Sequence, residues 1–193
     1  TLRKYPRNSA AHILGYIGEV NQSVIEKKPY YRSGDYIGKS GLEYSYEEVL
    51  RGIRGVKRVL VDVHNREKGT YKDGAKDTMA ITGTILRTTL DIFLQEYGEL
   101  LMQNKKGSIV AIEPSTGEVL ALVSAPNYDP NMLVGRAVGK NYPALIKDTL
   151  KPLFNRALMA KYPPGSIFKT VQAMVGLQAG VINVNSGFAC NKA

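Results

Sequence analysis

The stretch Gly107-Ser-Ile-Val-Ala-Ile-Glu-Pro-Ser-Thr-Gly-Glu-Val-Leu-Ala-Leu-Val123 decides the fold. Two β-rich runs flank Pro114-Ser-Thr-Gly117, a turn signal in which proline presets φ and glycine takes the left-handed position. This predicts a β-hairpin, 107–112 against 118–123. Both strands are apolar on alternate and intervening positions, which predicts a sheet covered on both faces. Upstream, Asp91 reads as an N-cap, followed by a helix to about Asn104 whose apolar stripe is Phe93, Leu94, Tyr97, Leu100 and Leu101. Downstream, residues 125–165 hold six prolines and read as loop and short helix. A second helix follows from about Ser166 to Ala179, with Gly180 as its stop. The expected fold class is α+β.

Residues 1–76 differ in texture, being irregular and rich in Tyr, Gly, Lys and Arg. Ser40-Gly-Leu-Glu43 and Ser45-Tyr-Glu-Glu48 each read as a capping box, so a helix of about ten residues is expected to start at one of them and end at Gly52 or Gly55. Val56 to His64 and residues 78–90 are β-branched and read as strands. Asn65 to Asp77 reads as a hairpin or a linker, with a domain boundary near 76. The expected division is a first domain over 1–76 and a second over 77–193.

Composition excludes several classes. The chain has 193 residues, 44% of them hydrophobic, enough for a core without staples. A single cysteine, Cys190, forbids an internal disulfide framework and an all-cysteine metal site. No run of 18 apolar residues occurs, so no transmembrane helix is expected; no basic-then-apolar leader is visible either. The net charge is +9, yet basic runs never exceed two residues and no nucleic-acid motif appears. A nucleic-acid partner is therefore not expected, while an anionic surface or polymer remains compatible. No Gly-rich phosphate loop and no ligand cluster call for a cofactor or a metal. His12 reads as a structural hydrogen-bonding histidine, His64 as exposed, and Glu113 and Asp129 as turn residues.

Chemistry concentrates at Ser166 and Lys169. Three positions apart on a helix, they share a face. Ser166 lies at the helix N-terminus, where unpaired N–H groups favour developing negative charge. The rest of the helix (Ile167, Phe168, Val171, Met174, Val175, Leu177) is apolar nearly all round, which predicts burial and a partly desolvated lysine able to act as a base. The bland alternative is an N-cap serine followed by a lysine snorkelling off a core helix. A Ser-x-x-Lys tetrapeptide arises about once by chance in such a chain, so the spacing alone does not choose.

Tyr162-Pro-Pro-Gly-Ser-Ile-Phe-Lys169 resembles the Ser-x-x-Lys motif of the penicillin-binding proteins. Gly107 to Pro130 is similar to the hairpin opening their transpeptidase domain, and Leu153-Phe-Asn-Arg-Ala157 to the segment before the motif. Tyr5-Pro6, Ala10 to Gly18, Gly38 to Glu43 and Tyr46 to Gly52 resemble the N-terminal pedestal of class B members. The resemblance points to the elongation-type, penicillin-binding protein 2 subgroup.

The resemblance implies a serine D,D-transpeptidase of peptidoglycan synthesis, inhibited by β-lactams and needing no cofactor. It implies Ser166 as nucleophile and Lys169 as its base, with the Ser166 N–H as half of the oxyanion hole. It implies stem peptides ending in D-Ala-D-Ala as substrates, and a membrane-embedded glycan polymerase and shape-determining proteins as partners. The implied location is the periplasmic face of the inner membrane, with a single-pass anchor outside these residues. The family's Ser-x-Asn and Lys-Thr/Ser-Gly motifs do not follow Lys169 in this sequence. The chain is therefore expected to be an N-terminal portion, inactive by itself. Some elongation-type relatives carry zinc near the position of Cys190, which is otherwise a buried or free thiol. Two other readings remain: a pedestal that works as a partner-binding module, and a β-lactam sensor or β-lactamase relative.

Overall fold

The computed structural model describes residues 3–187 and 189 and contains two compact units, Thr1–Met159 and Ala160–Ala193. Cys190 lies outside the described residues. The first unit begins with α1 (Ala11–Leu14), β1 (Ile17–Glu19), α2 (Gln22–Lys27), β2 (Tyr36–Gly38), α3 (Gly41–Ser45) and α4 (Glu47–Arg51). β1 and β2 pair antiparallel, Ile17 opposite Gly38. Val20, Tyr31 and Ile37 form a small core beside them, covered by Val24, Ile25 and Tyr30.

The expected ten-residue helix is broken into α3 and α4 at Tyr46, where φ −113 and ψ 22 leave the helical region. Neither capping box forms: Ser40 makes no side-chain cap bond, and Glu43 turns instead to Arg3 and to the Tyr5 hydroxyl. Glu43 and Glu47 are both buried and both satisfied. Glu47 accepts from the Tyr31 hydroxyl at 2.8 Å and from Gly38 N at 2.8 Å, tying α4 to β2. A buried carboxylate with two donors outcompetes a surface cap, because leaving it unpaired would cost more than the cap returns. Gly38 lets the backbone of α3 lie close against β2, since a Cβ there would stand 1.8 Å from Glu43 O.

Next comes a hairpin of β3 (Val59–Val61) and β4 (Glu67–Thr70), so residues 65–77 contain a paired strand and are not simply a linker. His64 sits exposed in its turn. The strand expected over 78–90 does not form as a ladder. Only isolated bridges occur, Val56 with Thr78 and Ile53 with Ile81. Strand propensity is realised only against an available edge. Here the partner is the irregular run 52–56, with Gly52 and Gly55 pressed on the backbone of 78–83.

α5 (Ile92–Leu101), β5 (Gly107–Ile112) and β6 (Val119–Ala125) carry the predicted helix and hairpin. Asp91 caps α5, accepting from Phe93 N and Leu94 N. The hairpin pairs Gly107 with Ala125 and Val110 with Leu122. The face that α5 buries is the reverse of the expected one. Gln95 and Gly98 are buried, while Phe93 is 69% exposed and Tyr97 57%. Gly98 lets the helix backbone meet Val123, so the close contact is made by the residue without a side chain. The second face is covered only toward Ser124, by residues 154–156: Ser124 is buried there, while Ser108, Val110 and Ile112 are exposed, so the expectation of two covered faces holds only in part.

The proline-rich stretch is ordered by two short 3₁₀ turns, then α6 (Val138–Lys147) and α7 (Arg156–Met159). Asp129 caps the first turn through Asn131 N, and Glu113 accepts from Ser115. The main core joins Ala11, Tyr128, Leu133 and Leu145, with Tyr16, Met132, Val138, Tyr142 and Leu153 around it. Full burial of Leu133 stabilises by about 2 kcal/mol.

The second unit is built on α8 (Phe168–Gln178), entered through a 3₁₀ turn, Gly165–Ile167. Gly180 ends it as predicted, at φ 68, with Val181 N donating to Gly176 O and Gly180 N to Leu177 O. Ile182 lies against Gly176, completing a Schellman stop with its apolar contact. Among the described residues, no helix is long and apolar enough to cross a membrane.

Candidate active site

Ser166 is the middle residue of the 3₁₀ turn, and Lys169 is the second residue of α8. The turn runs into the helix without a break, so the two stay within one turn of each other, on one side. Gly165 has φ 58, a left-handed value that only glycine adopts freely, and no atom lies within 4 Å of where its Cβ would stand. The approach to Ser166 from its N-terminal side is open.

Ser166 caps neither the turn nor the helix: Pro164 and Ile167 occupy those positions, and no side-chain cap bond is made. The structural role that would most simply explain a serine here is therefore not filled. Thr170 takes a local role instead, its hydroxyl donating to Ile167 O at 2.7 Å. Among the described residues, neither the Ser166 hydroxyl nor the Lys169 ammonium has a hydrogen-bond partner, so the pair is adjacent but not joined.

The expected burial is not present. Ser166 and Lys169 are exposed, and so are Phe168, Val171, Met174, Val175 and Leu177. A helix that is apolar all round needs neighbours on several sides. In residues 160–187 only the chain end around Ile182 folds back on α8, at Gly176. What the arrangement supplies is a hydroxyl and an amine one helical turn apart at the start of a helix, with an open approach. Among the described residues no cluster of His, Cys, Asp and Glu could hold a metal ion.

Other polar centres escaped the sequence pattern. Gln95 and Glu99 sit on α5. Glu99 Oε1 accepts from Ala10 N at 2.8 Å and from Gln95 Nε2 at 2.9 Å, and its Oε2 accepts from Asn127. His12 is a structural histidine, as expected: its Nε2 donates to Pro152 O at 2.7 Å and its ring meets Tyr128 edge-on. Burial holds His12 below the ordinary histidine range and pushes the Tyr128 hydroxyl up to about 12. A glutamine or a glycine on a nominally polar face carries no sequence signal that it will be buried.

Comparison with known proteins places these features. The model of the penicillin-binding protein dimerisation domain matches residues 1–87, and that of the penicillin-binding protein transpeptidase domain matches residues 107–193. The chain is 40% identical over 191 residues to the peptidoglycan D,D-transpeptidase MrdA of Escherichia coli K12, covering 95% of this chain and 30% of that protein. It is 39% identical to MrdA of Acinetobacter baumannii, covering 94% and 27%. Among solved structures it is similar to Pseudomonas aeruginosa PBP2 in complex with WCK 5153, at 38% identity and a TM-score of 0.78, covering 96% of this chain and 37% of that one. It is also similar to Helicobacter pylori PBP2 in its complex with MreC, at 32% identity and a TM-score of 0.81, covering 96% and 34%. The chain thus spans less than a third of the length of these MrdA relatives.

Proposed function

The chain belongs to the penicillin-binding proteins, among relatives of the penicillin-binding protein 2 type, and on that footing we propose that the protein carrying it is a peptidoglycan D,D-transpeptidase of cell-wall elongation. Ser166 is its nucleophile and Lys169 its general base. Residues 1–76 are a non-catalytic pedestal and residues 77–193 the N-terminal part of the transpeptidase domain. The observation that carries this reading is an uncapped serine one turn ahead of a lysine, within residues matched by the transpeptidase family.

The steps follow from the chemistry of the pair. The Ser166 hydroxyl passes its proton to the Lys169 amine as its oxygen attacks the carbonyl of the penultimate D-Ala. The C–N bond to the terminal D-Ala breaks, and the leaving amine takes the proton from Lys169. The ester on Ser166 is then attacked by an amine of a second stem peptide; Lys169 takes the amine's proton and gives it to the Ser166 oxygen as the acyl C–O bond breaks, which returns Ser166 and forms the cross-link. Backbone N–H groups at the opening of α8, including that of Ser166, offer stabilisation to the tetrahedral oxyanion. A β-lactam enters by the same attack, its ring C–N bond opening while the acyl group stays on the serine.

By analogy with the relatives, the protein acts at the periplasmic face of the inner membrane, held by an anchor outside this chain. Its pedestal meets a membrane-embedded glycan polymerase and shape-determining proteins; the similarity to the Helicobacter pylori protein in its complex with MreC supports this part. Release of D-Ala from a pentapeptide donor by the full-length protein tests the reading. Stoichiometric release with cross-linked product is expected, and loss of both in Ser166→Ala. A full-length protein that binds partners but releases no D-Ala would leave only the pedestal role.

A further inference from the structure

Arg51 is the last residue of α4 and lines a cavity of about 640 Å3 within the first unit. Its guanidinium lies over the Tyr30 ring, 3.9 Å from the centroid, and Nη1 donates to the Tyr31 hydroxyl at 2.8 Å. That hydroxyl donates onward to Glu47, whose two oxygens are taken by Tyr31 and by Gly38 N. Two other arginines line the cavity, and both are paired, Arg3 with Glu43 and Arg54 with Asp35. No ion pair among the described residues includes Arg51. A guanidinium stacked on a ring uses its face and keeps its in-plane N–H groups for an acceptor. Of the five N–H groups a guanidinium carries, Arg51 spends one. The stack also holds the fork in place, so less side-chain entropy is lost when an acceptor arrives.

The same cavity has a backbone wall. Ile81 exchanges both of its backbone hydrogen bonds with Ile53. Its neighbours Ala80 and Thr82 also line the cavity, and their N–H and C=O groups have no partner among the described residues. Successive residues of an extended segment direct these groups to opposite sides, so 80–82 is paired along one edge and open along the other. Ile53 and Ile81 are each 60% exposed beside it.

These features point to one kind of ligand. The free in-plane donors of Arg51 match the two oxygens of a carboxylate. Asp35 and Glu47 line the cavity too, and they would repel the fuller charge of a phosphate. A small free acid would leave the backbone edge and the two isoleucines uncovered, whereas a peptide main chain pairs with the first and lays side chains on the second. We propose that this cavity docks an extended, acidic segment of a partner protein, with one carboxylate held by the Arg51 fork and the main chain added along Ala80–Thr82. The site lies wholly in the first unit and does not depend on Ser166 being the nucleophile.

The test uses the full-length protein and three fluorescein-labelled heptapeptide pools, read by fluorescence polarisation. The pools are randomised over Thr, Val, Ser and Tyr, with the central residue fixed as Glu, Gln or Lys. The Glu pool is expected to bind wild type about 10- to 100-fold tighter than the Gln pool, the range for hydrogen bonds to a charged group, and the Lys pool weakest. Arg51→Gln is expected to bring the Glu and Gln pools to equal affinity. Ile81→Glu leaves the Arg51 stack in place and adds a like charge to the cavity, so it is expected to weaken the Glu pool more than the Gln pool. It carries the test if circular dichroism shows R51Q unfolded. Wild type that binds no pool, or binds the Glu and Gln pools alike, would overturn the proposal. Displacement of the Glu pool by an equal concentration of inorganic phosphate would also overturn it, marking a general anion site. Arg51-dependent binding to phosphatidylglycerol vesicles, with no preference among the peptides, would overturn it in favour of a membrane contact. Penicillin acylation is followed in the same samples: a protein that does not acylate but keeps the Arg51-dependent preference for Glu contradicts the Ser166 reading alone.

Discussion

Gln95 grips Leu122 with both ends of its side-chain amide. Oε1 accepts from Leu122 N at 2.8 Å, and Nε2 donates to Leu122 O at 3.1 Å. Leu122 lies on β6, paired with Val110 of β5 on its other side. The side chain therefore stands where a third strand would, and satisfies the outer edge of the sheet from a helix. Thr89 and Asp91 continue this cover, through Val119 O and Leu120 O.

Removing that amide leaves a part-buried N–H and C=O of Leu122 without their side-chain partner. Gln95→Ala is expected to destabilise the chain by about 2–3 kcal/mol, from two lost bonds and a small cavity. Urea unfolding at neutral pH measures it. A loss under about 0.5 kcal/mol, the usual range for a surface position, would show that water replaces the grip.

Gly98 offers a second check on the same contact. Alanine is worth about 1 kcal/mol more than glycine inside a helix, so a surface Gly98→Ala would stabilise. Here the new Cβ would stand 2.8 Å from Val123 Cγ2, in a strand residue with no exposure. The substitution is expected to cost about 1–3 kcal/mol net from overpacking. Val123→Ala in the same background should recover part of that cost. A stabilised G98A would mean that α5 does not press on β6.

His12 predicts an acid-side loss of stability. Burial is the main cause holding its native pKa below the ordinary histidine value of 6.5; Arg156 acts the same way, while the Pro152 carbonyl and Glu99 pull upward. The native state thus prefers the neutral ring. Above about pH 6.5 the histidine is neutral in both states and carries no penalty. As pH falls below that value the unfolded chain binds the proton first, and stability drops until the native pKa is reached. His12→Gln, which keeps a donor for Pro152 O, should flatten the difference in unfolding free energy between about pH 7.5 and pH 5. An unchanged pH dependence in the variant would remove His12 from the account.

The legible parts of the fold were those set by local chemistry. The turn signal at 114–117, the cap at Asp91 and the stop at Gly180 each need only a few neighbouring residues, and each stands where the sequence places it. The parts misread were set by distant partners. The α5 stripe follows apolar periodicity, but Gln95 and Gly98 face the sheet because β6 offers an edge to bond and a residue to approach. The Ser40 capping box loses to partners of Glu43 that lie 40 and 38 residues away, Arg3 and Tyr5. The strand over 78–90 lacks a regular edge to pair with. At the site, the adjacency of Ser166 and Lys169 is dictated by their spacing. The burial of their helix is not, because an apolar surface becomes buried only where other residues cover it.

Intact mass after exposure to penicillin tests the central claim most directly. Full-length protein should gain one penicilloyl adduct, and full-length Ser166→Ala should gain none. An unmodified full-length protein, or an adduct that persists in Ser166→Ala, would contradict the assignment of Ser166 as the acylated nucleophile.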